Sequence, residues 1–411
     1  MMMRLSPKPA LVKPAPDHFK QLLQESPFAK RAMPLCRTRD VMNWNGFALV
    51  NVYSTVEEEY FAIRNRSSVF DLAPMMKYRI SGKDAEAYCN RLVTRDVRKQ
   101  KPGRVSYVVW CDEAGMVIDD GTLFRFSATE FRLCSQERQI DWLLDCALGY
   151  DVTISDVSES IMALTLQGPT SASLLKLCGF KGVENIKPFE IKDWKIGKLA
   201  VTVSRTGFTA DLGYELWVDA GDAIALWDLL FEHGQGRGLV PIGNEALNMA
   251  RIEAGLLLPG IDFISSMANV RMGFCRSPYE LGLDFTVDLA KPHFNGRAAL
   301  VAEKQNETSR SKLIGLEIES NKPVNDSIVY SDESCQTEIG FVTSAIWSPT
   351  CKRNIAIAQI NAPYYGTLTQ FWVELYLKRE LTWQRRVLEA WPVERPFFAH
   401  PRRRQTPAGD Y

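Results

Sequence analysis

The sequence predicts an α+β protein that ends in a β-barrel-like domain. Up to about residue 305, strand-like and helix-like runs interleave irregularly, without the regular βαβ units of a doubly wound sheet. From about Lys312 the texture turns to β, with turn signals every ten or so residues. A length of 411 residues exceeds one ordinary core and calls for two or three domains. The expected organisation is an N-terminal arm over 1–30, two interleaved α+β domains over 31–305, a C-terminal β domain over 306–400 and a tail over 401–411, with 306–311 as linker.

Taken in order, residues 56–65 have helical spacing, and 69–72 and 77–81 read as short strands. Gly82 turns the chain into an amphipathic helix over 84–92. Residues 104–110 alternate as a strand, 112–115 form a turn and 116–126 a second strand, giving a hairpin. A strand over 130–134 and a helix over 139–148 follow. Residues 162–166 lead into the turn Gln167-Gly168-Pro169 and a helix over 171–178. Strands over 199–204 and 214–218 flank a Gly-containing loop, before helices over 223–233 and 244–254. The β domain is expected to use 311–313, 328–330, 340–344, 354–360 and 371–376.

Composition narrows the function. Lys+Arg and Asp+Glu balance at 49 each, without the basic excess of a nucleic-acid binder. No apolar run approaches the ~20 residues of a membrane span, and the N-terminus has no signal-peptide pattern, so a cytoplasmic protein is expected. The nine Cys are scattered without C-x-x-C, and the four His are far apart, so neither a disulfide frame nor a metal site is expected.

Three stretches are candidates for chemistry. Asp119-Asp120 are adjacent carboxylates in an apolar strand, and adjacent strand residues face opposite sides of a sheet. One can enter a cleft while the other holds the turn. Glu215 sits in an apolar strand after the loop Arg205-Thr206-Gly207, and alternation alone turns it to solvent. Arg251 and Glu253 lie two apart on a helix, each ion-paired elsewhere. Gly234-Gln235-Gly236-Arg237-Gly238 is a helix-ending turn, since no strand precedes it, and no dinucleotide fingerprint occurs.

The order of these blocks is more informative than any one of them. Val69-Phe70-Asp71-Leu72, Leu92 to Val97, Asp112 to Asp120, Leu166 to Pro169, Ser204 to Glu215, Arg251 to Leu256, Phe294 to Arg297 and Gly340 to Ser344 succeed one another along the chain. In that order the sequence resembles the glycine-cleavage aminomethyltransferase and folate-dependent demethylase superfamily over about 45–396. The resemblance implies a three-domain cloverleaf around a central hole that takes tetrahydrofolate. It implies Asp120 as the catalytic acid, with Glu215, Tyr107, Arg251 and Gln167 binding the folate. It also implies a small-molecule partner, the methyl donor, and allows a homodimer.

The sequence departs from the family's pattern at the donor end. Where the family has Asp-x-Ser-His-Met, this chain has Asp71-Leu72-Ala73-Pro74-Met75, and Arg95 replaces a usual Asn. These changes weigh against glycine cleavage and toward transfer of a whole methyl group. Met75 lies in a segment expected on the substrate side. Trp44 and Trp217 are candidates to hold an onium cation by cation–π attraction, against a plain core role. The non-catalytic folate-binding branch carries Lys-Gly-Cys-Tyr, whereas this chain has Lys291-Pro292-His293-Phe294 and lacks the Cys. A folate domain serving a separate flavoprotein is the remaining alternative.

Overall fold

A computed structural model of the chain describes residues 23–268 and 272–407. Residues 1–22 of the expected arm and 408–411 of the expected tail lie outside the described residues.

Three open sheets and a closed barrel make up the fold. A six-stranded sheet runs Ile191–Ile196, Leu199–Ser204, Gly213–Asp219, Ile161–Gln167, Ser67–Asp71, Leu239–Pro241. Its pairs are antiparallel except the last, which is parallel. A five-stranded antiparallel sheet runs Arg104–Cys111, Val117–Arg125, Glu130–Ser135, Met76–Ser81, Thr153–Asp156. The barrel closes six strands between Ser311 and Val393, and a three-stranded sheet holds Gln24–Glu25, Phe47–Val52 and Asp40–Trp44.

Local chemistry sets the element ends. Thr55 caps the helix Val56–Asn65 by accepting from the Glu58 N–H, and three Glu in the first turn suit the helix dipole. Glu59 of that turn is fully buried and accepts the N–H groups of Tyr53, Ser54 and Gly243, tying this helix to the start of Asn244–Glu253. The hairpin turn after Cys111 closes through Asp112, whose N–H donates to the Met116 carbonyl and whose Oδ1 accepts the Met116 N–H, both at 2.9 Å.

The structure adds elements that the periodicity does not announce: the strands Asp40–Trp44, Phe47–Val52, Ile191–Ile196 and Thr382–Val393, and the helix Arg297–Asn306. The first two had a signal. Asn45-Gly46 joins them in a two-residue turn with both φ positive, the strongest short-range hairpin pattern.

The six-stranded sheet buries one face against the helices Ser171–Leu177 and Ala223–Gly234, and the five-stranded sheet buries one against Ala85–Leu92 and Ile140–Cys146. A third apolar cluster joins the remaining faces. Phe70, Ala163 and Trp217 of the larger sheet meet Val105, Phe124 and Cys134 of the smaller, with Ile63 and Leu247 from two helices. Ile252 packs on Ile346 and Ile355 of the barrel, while Val109 and Val117 reach Leu313 and Ile357. The two sheets thus face one another beside the barrel.

Candidate functional site

The strand Val117–Arg125 is the spine of the site. Asp119 lies on the buried face of Ile118 and Trp110, past a bulge in the pairing, while Asp120, Thr122 and Phe124 share the other. Asp119 is fully buried. Its Oδ1 accepts the Asp120 N–H at 2.8 Å, and burial, followed by the Asp120 charge, pushes its pKa well up. Asp119 is the turn-side partner and Asp120 the half-buried one. Gly121 follows directly, and a Cβ there would lie 2.1 Å from the Cys134 carbonyl oxygen on the next strand. Gly121→Ala is expected to force the two strands apart and cost about 1–3 kcal/mol, measured by chemical denaturation; an unchanged midpoint would contradict the close approach.

Asp120 accepts a short hydrogen bond from the Tyr107 hydroxyl. The Tyr107 ring stacks on Phe285 at 6.3 Å between centroids and 21° between planes. Burial raises the Asp120 pKa to about 6, the Tyr107 bond opposes that rise, and the charge of Asp262 adds to it. Burial and Asp120 together hold Tyr107 far above its ordinary value, so the phenol remains the donor. Arg395 carries a positive charge toward both Tyr107 and Asp262.

Glu215 marks the other end. Its Oε2 accepts the Thr206 hydroxyl at 2.6 Å and the Ser204 hydroxyl at 3.3 Å, and among the described residues Oε1 accepts nothing. The Ser204 hydroxyl also receives the Trp217 indole N–H at 3.2 Å. Burial raises the Glu215 pKa, against the two hydroxyls and the charge of Arg132. Arg132 is only 5% exposed, and its Nε and Nη2 have no acceptor among the described residues. Its guanidinium lies over Trp217 at 4.6 Å, Phe124 at 4.9 Å and Phe126 at 5.1 Å. Phe124 is four residues beyond Asp120 on the same strand face, so the two ends are about 13 Å apart at ~3.3 Å per residue.

Five candidate residues take other roles than the sequence suggests. Arg251 does not face the junction. It is 1% exposed, and its donors go to Asn248 Oδ1, the Leu256 carbonyl, Asp262 and Ser344, so it clamps the helix Asn244–Glu253 to the barrel. Gln167 is fully buried. Its amide bonds Thr165 and Thr209 and fills the space left by the absent side chains of Gly207 and Gly213, supporting the loop that carries Thr206. Trp217 is 2% exposed, with Arg132 over its ring at 4.6 Å and Phe124 edge-on at 5.2 Å, so it takes the core role. Trp44 stacks on Phe70 at 6.4 Å, and it and Met75 are half-buried against the same inter-sheet cluster, the plain core role.

Comparison with known proteins fits this geometry to a family. Residues 38–291 match the GCVT N-terminal domain, and 311–398 match the glycine cleavage T-protein C-terminal barrel domain. The chain belongs to the glycine cleavage T-protein family. Family relatives include a trimethylamine-oxide aldolase of Ruegeria pomeroyi, 35% identical over 374 residues, 87% of this chain and 45% of that protein. The chain thus spans under half of that relative's length. An aminomethyltransferase of Oceanobacillus iheyensis is 31% identical over 372 residues, 88% of this chain and 95% of that protein. The T-protein fold is shared with glycine cleavage system aminomethyltransferase T from Bartonella henselae, at a TM-score of 0.80 and 22% identity over 94% of this chain and 100% of that one.

T-protein family enzymes are tetrahydrofolate-dependent transferases, and the residues present suit a reduced pterin. A pterin edge offers several N–H donors and a carbonyl acceptor. Glu215 has an uncommitted oxygen for the former, and Arg132 has acceptor-less N–H groups beside it. The sequence reading misses Arg132, Asp262 and Arg395. Arg132 alternates with core Phe131 and Leu133, which marks an outer face, and only the second sheet buries it.

Proposed function

We propose that this chain is a tetrahydrofolate-dependent demethylase. It moves a methyl group from a small onium, N-methyl or S-methyl donor to tetrahydrofolate. The observation that carries the reading is the pairing of two carboxylates on one junction: Asp120 held by Tyr107, and Glu215 held by Thr206 with one oxygen uncommitted. Tetrahydrofolate supplies the nucleophilic N5 that accepts the carbon.

Glu215 accepts pterin N–H groups, and charge-assisted bonds of this kind fix orientation as well as affinity. Thr206 and Ser204 keep its carboxylate aimed, and Arg132 supplies the opposing charge. Asp120 stabilises positive charge developing at the reacting nitrogen and takes up the proton released there. The Tyr107 phenol holds Asp120 in one rotamer. Rate enhancement in a displacement of this kind is chiefly orientation.

Two observations favour a methyl donor. In the donor-side segment, Ala73 and Pro74 stand where the family pattern has Ser and His. The 35%-identical relative is a trimethylamine-oxide aldolase, so its substrate is an N-methylated nitrogen compound. The second reading is aminomethyl transfer, favoured by relatives of nearly equal length. A donor screen with tetrahydrofolate, read by mass spectrometry, separates them. 5-Methyl product supports demethylation; 5,10-methylene product with ammonia sinks it in favour of glycine cleavage.

Glu215→Ala is expected to weaken folate binding at least about tenfold, the scale of one lost charge-assisted hydrogen bond. Titration calorimetry measures this, and unchanged affinity removes Glu215 from the site.

A further inference from the structure

A cavity of about 300 Å³ is lined in part by Phe285, the ring that stacks on Tyr107. Arg95, Lys99, Ser106, Phe285 and Asp288 are among its lining residues. Phe285 is 63% exposed and stacked on Tyr107, the phenol that holds Asp120, so the cavity wall is continuous with the site. The charges in the wall are unevenly matched. Lys99 pairs with Asp288 at 2.5 Å, and Asp96 accepts Arg98 through two bonds of 2.9 Å. Arg95 is left over. It is half-buried, its Nε is buried without an acceptor, and among the described residues no carboxylate lies within ion-pair distance of it. A guanidinium fork without a partner, in the wall of a cavity, matches the planar two-oxygen geometry of a carboxylate.

We propose that this cavity is a carboxylate subsite anchored by Arg95. Resting on the folate reading, its occupant is the glutamyl carboxylate of the folate or the carboxylate of an amino-acid-like methyl donor. Both present the same fork-matching group, and the Phe285 face receives the apolar part of either. Lys99 and Asp288 neutralise one another, so Arg95 supplies the net positive charge that makes an anion preferable to a neutral group.

The test uses the whole chain and Arg95→Gln, with titration calorimetry of three probes: 5-formyltetrahydrofolate, its pteroyl counterpart lacking glutamate, and dimethylglycine. Arg95→Lys, which keeps the charge and loses the fork, is the companion if Arg95→Gln does not fold. Affinity for the glutamylated folate falling about tenfold, with the pteroyl form unmoved, assigns the subsite to the folate tail. A loss confined to dimethylglycine assigns it to the donor. Unchanged affinity for both carboxylate probes overturns the proposal. Failure of the unsubstituted chain to bind either folate probe overturns the folate reading instead, and the dimethylglycine arm still decides the subsite.

Discussion

Asp120→Asn is expected to lower kcat by about 10²–10⁴-fold while folate affinity stays within about threefold, the pattern of a lost general acid–base group. The amide keeps the size of the side chain and can still meet the Tyr107 hydroxyl, so the hairpin and the Tyr107–Phe285 stack persist. What is lost is the negative charge and the capacity to take a proton. Because burial raises the Asp120 pKa to about 6, the native enzyme should show a matching pH profile. The carboxylate is the working form, so kcat/KM rises as pH increases through about 6 and levels above it. Stopped assays from pH 5 to 8 on both proteins check this. A flat profile, or equal losses in turnover and folate binding, would remove Asp120 from the chemistry.

The largest expected effect on stability is that of Glu253→Ala, a loss of about 3–5 kcal/mol, the usual outcome of breaking one side of a buried ion pair. Glu253 is fully buried. Its Oε1 accepts the Tyr60 hydroxyl at 2.6 Å and the Ser348 hydroxyl, and its Oε2 accepts Nε and Nη2 of Arg64. One carboxylate thereby joins the helix Val56–Asn65, its own helix Asn244–Glu253 and the barrel strand Glu338–Ser348. With alanine there, Arg64 keeps only the Thr209 carbonyl, Asp211 at 3.8 Å and the rings of Phe398 and Tyr60. Asp211 is itself engaged by Arg402 at 2.8 Å, so it cannot fully replace the lost partner. Urea unfolding monitored by tryptophan fluorescence gives the loss directly. A change below about 1 kcal/mol would mean that the network holds little of the inter-sheet and barrel contacts.

Much of the site was legible in the sequence where two rules agreed. The strand containing Asp119-Asp120 could be recognised by alternation, and alternation then required the two carboxylates to part. The Arg251 and Glu253 pair was likewise readable as two residues on different helix faces, each paired elsewhere, and the ion pairs with Asp262 and Arg64 are those partners. The rules failed where a second sheet covers the face that a single sheet would leave to solvent. Glu215 and Arg132 each occupy a strand position that alternation assigns to water, yet both lie at the junction between sheets. Gln167 failed for a related reason: the space it fills is created by two glycines on other segments, Gly207 and Gly213.

The sequence alone determined the element types of the Asp119-Asp120 hairpin, the β character of the C-terminal part and the order of motifs along the chain, because each depends on near neighbours and their periodicity. Only the tertiary structure decided that Arg132 lies over the Trp217 ring, that Arg251 is a clamp, and that Arg95, among the described residues, has no carboxylate partner in its cavity wall. Periodicity says which residues share a face. What covers that face, and which charges are left without a partner, is set by segments far away in the chain.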